Sequence, residues 1–491
     1  NISGAAYTSL KKYNLAISYY KKALAIDPDA AFLYLRMTSI FKKIKKFDLA
    51  EESCRKFIKL KPGSAEGYYI MGNILNVRGE LDSAIENFKK ATQIKPHHAE
   101  AYFNLGNVFK AKGNLGGAKE SFQRTIAINP HYSEAHYNMG NLFQISGDLN
   151  AAIRNYKKAI QIKPDYADAL SNLGIAFKKK GNLNEAMQSY VEAIRIKPSN
   201  RDFITNLMSL LTLFSNPLNS SQSIIKTHEE LKKISLKISD GEVIDSCKIS
   251  SILSEASKIL DTCEFNTATD ISQIYRRNLK NLNCKRHMTI FNKHNIIPEF
   301  CFGCYKVQVE PRTVIELASL FIIFDRLQLK SNNTRKCLIE FRTNVSGFYK
   351  GLIYCSGIDE AQKVANYLDP LLSSHIRSDL KSKIKHGCSE YPLVFPLFRE
   401  INMSGVQKMV YPEEWKSTEI EYDNADQSQI SNQIYSTSNG LSLLDLSIMK
   451  NWFDYALGIG DKSIELLGIE ANLNSDFYRI GQNRLQTYAY E

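Results

Sequence analysis

The sequence is short of several things, and each shortage narrows the possibilities. It holds only 2 tryptophans and 13 prolines in 491 residues. It has no run of 18 apolar residues, so no membrane span is expected. The most apolar stretch, Val314 to Phe324, is broken by Glu316 and Ser319. Cysteine is nearly absent from the first 200 residues, where Cys54 stands alone. Six of the 9 cysteines fall between Cys284 and Cys388. Such an uneven distribution does not read as a disulfide framework, but as thiols or metal ligands of a cytoplasmic protein. Apolar residues at 44% and charged residues at 23% exclude collagenous, mucin-like and wholly disordered classes. The length is that of about three domains. Motif searches also come up empty: there is no P-loop, no G-x-S-x-G elbow and no H-E-x-x-H.

What is present begins with charge. Residues 1–200 carry 30 Lys+Arg against 17 Asp+Glu, residues 201–410 carry 28 against 21, and residues 411–491 carry 5 against 13. A basic front can attract nucleic acid. Here the abundance of Ile, Asn, Lys and Ser points to compositional bias, so the lysines are read as a solvated face and no nucleic acid is expected.

Prolines punctuate the front at one interval: Pro28, Pro62, Pro96, Pro130, Pro164 and Pro198 are each 34 residues apart. Gly4, Gly72, Gly106, Gly140 and Gly174 keep the same beat, interrupted by Thr38. Ala16, Ala50, Ala84, Ala118, Ala152 and Ala186 share a second slot. Tyr20, Phe88, Phe122, Tyr156 and Tyr190 share a third, where Cys54 departs. This pattern resembles the tetratricopeptide repeat, over about 40% of the chain. The resemblance implies helix pairs stacked into an all-α solenoid with a concave groove, because one pair cannot bury its own apolar face. Proline ends each second helix by removing a donor. Repeats are expected over residues 1–200 and capping helices over 201–238. The first repeat lacks its opening residues, so the chain is expected to continue upstream.

Asn104, Asn138, Asn172 and Asn206 recur at the 34-residue step on the first helix of each pair. This ladder resembles that of the repeats of protein O-linked N-acetylglucosamine transferases. It implies that the amides hold an extended peptide by its backbone, since an amide donates and accepts at once. Alternatively, the amides bond only to neighbouring repeats. Asn73, Asn107 and Asn141 widen the polar strip. A carboxylate clamp is excluded, because Phe103, Tyr137 and Ser171 stand where it needs lysine. None of the transferases' catalytic sequence follows, so their activity is not implied.

Residues 239–300 read as a helical connector with a Cys/His segment. Residues 301–400 alternate as β-α-β-β-α-β, predicting an α+β domain of the ferredoxin-like, split βαβ plan. The strands are placed at Tyr305–Glu310, Arg335–Arg342, Phe348–Cys355 and Lys383–Ser389. Helices are placed from Pro311 to about Leu329 and from Ile358 to about Ile376. Residues 401–439 are read as a flexible linker and 440–491 as a helical tail. In the predicted plan Cys301, Cys304, Cys355 and Cys388 converge on one end of the sheet, with Cys337 on the edge strand.

Cys284, His287, Cys301 and Cys304 spell C-x2-H-x13-C-x2-C, a donor set suited to tetrahedral zinc. Cys355 and Cys388 are alternative ligands. A redox or iron–sulfur site, or buried unligated cysteines, are the competing readings. Lys350–Tyr354 has some likeness to an RNA-recognition strand, but Leu352 stands where a stacking aromatic is needed. The expected function is a protein-interaction scaffold taking a peptide in the repeat groove, coupled to a Cys-rich domain of unnamed activity. The competing class is an enzyme whose repeats recruit a protein substrate.

Overall fold

The computed structural model describes residues 2–214, 222–234, 243–276, 284–342, 345–386, 391–399, 409–425, 437, 440–468 and 472–488. Contacts divide the chain into two compact units, Asn1–Leu173 and Gly174–Glu491.

In the first unit each 34-residue period is a helix pair. Ala65–Val77 and Leu81–Ile94 form one, and Ala99–Ala111 and Leu115–Ile128 form the next. Ser133–Ile145 and Leu149–Ile162 follow. Each second helix packs on the first helix of the next pair. The slots have steric causes. A Cβ on Gly72 would lie 2.8 Å from the Phe88 ring, and one on Gly106 would lie 2.6 Å from Phe122. The ring of each pair therefore closes over its own glycine and is fully buried. The two departures from this rule fall in one repeat and compensate. Thr38 replaces the glycine and Cys54 replaces the ring, and both are buried. Cys54 Sγ reaches the carbonyl of Gly67 in the next pair, at 3.4 Å.

The turn inside each pair needs a left-handed residue. Gly79, Gly113 and Gly147 supply it with φ of +81°, +76° and +83°. Lys11 and Lys45 hold the same slot at +55° and +58°, a conformation that a Cβ disfavours.

The second unit begins within the helix Ala167–Lys180. Leu183–Ile196, Arg201–Leu211 and Ser223–Lys232 follow as helices. Leu207, Met208, Leu210 and Leu211 of this capping region are fully buried. The helix Leu443–Gly458 packs against it, with Ser447 Oγ 3.9 Å from Met208 Sδ.

Beyond the cap lies one antiparallel sheet of five strands: β1 Gln273–Arg276, β2 Tyr305–Val309, β3 Arg335–Ile339, β4 Tyr349–Cys355 and β5 Lys383–His386. Their order is β1-β3-β4-β2-β5. Tyr305 at the start of β2 faces both Cys355 and His386. The helices Val314–Arg326 and Ile358–His375 contact the sheet. Val307, Val309 and Ile353 are fully buried on that side, and Gly351 lies under Leu320 and Phe324 where no Cβ fits.

Four expectations change. The connector over residues 239–300 contains β1, a strand missed because Ile274 and Arg276 are both buried yet chemically opposite. The helix expected from Pro311 starts at Val314, because Thr313 accepts from the Glu316 amide as its N-cap, at 3.2 Å. The strand expected over Lys383–Ser389 ends at His386, and residues 387–390 lie outside the described residues. The expected linker over 401–439 contains the helix Trp415–Ala425. Trp415 packs edge-on against Phe395 with centroids 5.2 Å apart, and Asp423 and Glu419 pair with Arg286. Tertiary contacts thus hold a segment whose composition is polar.

Candidate functional site

The ladder asparagines sit on the first helices of consecutive pairs, because 34 residues return each slot to the same place on its pair. In the first unit the two asparagine series join. Asn104 Nδ2 donates to Asn73 Oδ1 at 2.8 Å, Asn138 Nδ2 to Asn107 Oδ1 at 3.0 Å, and Asn172 Nδ2 to Asn141 Oδ1 at 2.9 Å. Each rung therefore bonds to the preceding repeat. Aromatics flank the rungs: Asn172 also reaches Tyr137 Oη at 3.1 Å, and Tyr156 Oη donates to Asn141 Oδ1 at 2.8 Å. Lys110 Nζ donates to Asn138 Oδ1 at 3.1 Å, and burial lowers its pKa. Apart from Asn138, these rung amides are only partly buried. Asn206 lies in the second unit, on the helix Arg201–Leu211. The second series stops there, since Ile175 occupies its next slot.

The described thiols lie in different surroundings. Cys284 opens the helix Cys284–His294, but its side chain lies outside the described residues, as does Cys388. His287 is buried and stacks on Phe300, with ring centroids 5.2 Å apart, and burial pushes its pKa down to about 4. Cys301 is buried in an apolar cluster with Phe291, Ile297 and Phe398. Its Sγ lies 3.3 Å from Tyr391 Oη, surroundings that suit a neutral thiol. Cys304 lies just before β2, close enough to Cys355 for their charges to interact. Burial pushes the Cys355 thiol up to about 12, with Glu360 and Cys304 adding to the rise. Cys337 is buried on β3, opposite Gly351, and burial raises its pKa too. Among the described residues no group of three His, Cys, Asp or Glu side chains is arranged to hold a metal. No described cysteine is in a disulfide, and no described helix is long and apolar enough to cross a membrane.

Family models described as TPR repeat match residues 72–113 and 140–181. Models described as tetratricopeptide repeat match residues 3–30, 167–200 and 99–132. The N-terminal region is a tetratricopeptide-repeat array. The matched models describe the repeat alone. No curated protein matches the chain in sequence. Among solved structures the chain is similar to MamA, at 30% identity over 34% of this chain and 96% of that one, TM-score 0.32. It is similar to PilW, a type IV pilus biogenesis factor, at 25% identity over 43% and 95%, TM-score 0.37. It is also similar to YrrB, described as a TPR protein with an unusual peptide-binding site, at 24% identity over 37% and 93%, TM-score 0.33.

Sequence reasoning left the asparagines open between a peptide and the neighbouring repeat, and the 31-residue separation within every pair was the signal for the contact to the neighbour. It missed the cation-rich face of the sheet. Its signal was the alternation Lys306-Val307-Gln308-Val309 in β2, where lysine and glutamine occupy one side of the strand.

Proposed function

We propose that the protein is an interaction scaffold whose repeats take up an extended segment of another protein, and that the second unit carries a separate activity. The observation supporting this reading is the residual capacity of the rungs. An asparagine amide has two N–H donors and an oxygen with two lone pairs. Asn104 directs its Nδ2 donors at Asn73 Oδ1 and, at 3.4 Å, at Tyr69 Oη. Its own carbonyl oxygen is left to accept from the N–H groups that a backbone presents at regular intervals. The flanking Tyr69, Phe103 and Tyr137 offer half-buried apolar faces for side chains. The second unit is read as the split βαβ plan with β1 added at its edge, and the chain as cytoplasmic.

The test is a library of random linear peptides selected on the full chain, followed by binding to Asn104→Ala and Asn172→Ala. Selected peptides should lose about tenfold or more, roughly 1.4 kcal/mol, whatever their side chains. N-methylation of the peptide backbone should weaken binding similarly. Peptides that bind both variants as tightly as the parent would sink the reading. The amides would then serve the array alone, with the substitutions felt only in melting temperature.

A further inference from the structure

The sheet has two unlike faces. Its helix-covered side is apolar. On the other side, register brings lysines from four strands together. Lys306 on β2 faces Lys385 on β5, Lys336 on β3 faces Leu352 on β4, and Leu338 faces Lys350. These residues line a cavity of about 710 Å³. Its lining carries five cationic side chains, the four lysines and Arg342, against one carboxylate, Glu340. Glu340 is engaged by Arg342 Nε at 2.8 Å and by Lys350 Nζ at 3.1 Å. Glu310, outside the cavity, pairs with Lys383 at 3.1 Å and Lys385 at 3.6 Å.

Two facts make this more than a solvated basic face. First, like charges directly opposite on neighbouring strands are destabilising. Lys306 and Lys385 are such a pair; Glu310 offsets Lys385 from outside the cavity, and an anion within the cavity would offset the pair from the inside. Second, the floor is apolar, formed by Leu338 and Leu352, and it continues toward aromatics. Lys336 Nζ lies 5.7 Å from the ring centroids of both Tyr275 and Tyr354. A bare anion needs no such floor. An anion attached to a planar or apolar group does.

We propose that this face of the sheet is a binding site for a small phosphorylated ligand of nucleotide size. The phosphates would lie among Lys306, Lys336 and Lys385, and the uncharged part would lie on Leu338 and Leu352. Size favours a small molecule over a nucleic-acid strand. The volume falls within the range of about 300–1,000 Å³ typical of small-molecule sites. Arg342, Val345 and Ser346, beyond the end of β3, also line it. The site lies wholly in the second unit and does not depend on the peptide reading of the repeats.

Calorimetry on the full chain at ~0.15 M salt tests it with three probes: ATP, pyrophosphate and a single-stranded dodecanucleotide. ATP and pyrophosphate should bind about 1:1, with Kd between roughly 10 μM and 1 mM. Lys306→Gln/Lys336→Gln should weaken both about tenfold or more. Lys381→Gln, at an exposed residue just before β5 and outside the cavity, should change binding less than about twofold. If the double variant melts early, Lys336→Gln and Lys385→Gln singly should each show a loss with melting unchanged. Absence of ATP and pyrophosphate binding up to ~10 mM would overturn the proposal. So would an equal loss in Lys381→Gln, which would reduce the effect to net charge. An oligonucleotide binding about tenfold more tightly than ATP would overturn it in favour of a nucleic-acid surface.

Discussion

Arg276 and Asp445 are 169 residues apart and meet as a buried two-point pair, Nη1 to Oδ1 at 3.0 Å and Nη2 to Oδ2 at 2.7 Å. Asp325 takes the remaining Nε at 2.6 Å, and the Gly440 carbonyl accepts from Nη2 at 3.0 Å. One guanidinium therefore joins β1, the helix Val314–Arg326 and the helix Leu443–Gly458. Burial alone would lower its pKa, but the two carboxylates hold it above the usual arginine value.

Removing one partner leaves a buried charge without its counterion. Asp445→Ala should destabilise the second unit by about 3–5 kcal/mol. It also removes the capping box that Asp445 forms with Ser442. Urea unfolding monitored at Trp452, buried in the same helix, reads this directly. A variant within about 1 kcal/mol of the parent would show that water replaces the carboxylate.

Lys45 holds a left-handed turn that glycine fills in later repeats. Lys45→Gly should raise stability by roughly 0.5–1 kcal/mol, since relief of the Cβ contact outweighs the added freedom of the unfolded chain. Gly79→Lys, in the equivalent slot, should lower it by a similar amount. Thermal unfolding of both variants checks the pair, and the two shifts should have opposite signs.

His228 is fully buried, and its Nδ1 accepts from the Leu443 amide at 3.5 Å. Burial, helped by Lys232, pushes its pKa down from 6.5 to about 4. The folded chain therefore binds fewer protons than the unfolded chain between these values. Stability should be full above pH 6.5 and fall as pH drops toward 4. His228→Leu should flatten this part of the profile, as measured by melting temperature against pH. An unchanged slope would assign the loss to other groups.

Metal analysis separates two roles for Cys284, His287, Cys301 and Cys304. A neutral Cys301 thiol beside Tyr391 implies protein without bound zinc, and a Cys301→Ser variant within about 1.5 kcal/mol of the parent. A zinc centre would instead give one equivalent of metal, lost in Cys301→Ser together with several kcal/mol of stability. The same assay on Cys355→Ser tests the alternative ligands.

The repeats were legible because every steric requirement recurs. Gly72 beneath Phe88 is seen again at Gly106 beneath Phe122, so one accident cannot imitate the pattern. The left-handed turn was legible as well, had Gly79, Gly113, Gly147 and Gly181 been aligned. The second unit has no repetition to average over. Four of its strands could be read from their pattern, whereas β1 could not. Arg276 lies on the buried side of β1 because two carboxylates distant in sequence neutralise it, and no local rule anticipates that. The helix Trp415–Ala425 was illegible for the same reason. Its polar residues are held by Arg286, more than a hundred positions earlier. Spacing brought His287 and Cys301 into consideration, but the apolar side chains around Cys301 come from Phe291, Ile297 and Phe398, which spacing does not reveal.

The asparagine contacts all run one way. Asn172 donates to Asn141, Asn138 to Asn107 and Asn104 to Asn73, always toward the amino terminus. Had the donors alternated, the surface would look alike from either end. Because they do not, the row of amide dipoles has a head and a tail. A peptide backbone is itself directional, with N–H and C=O in fixed sequence. Laid along this row, it meets two inequivalent alignments, and reversing the strand exchanges donors for acceptors at every rung. A peptide taken up there would therefore be sorted by orientation before any of its side chains were read.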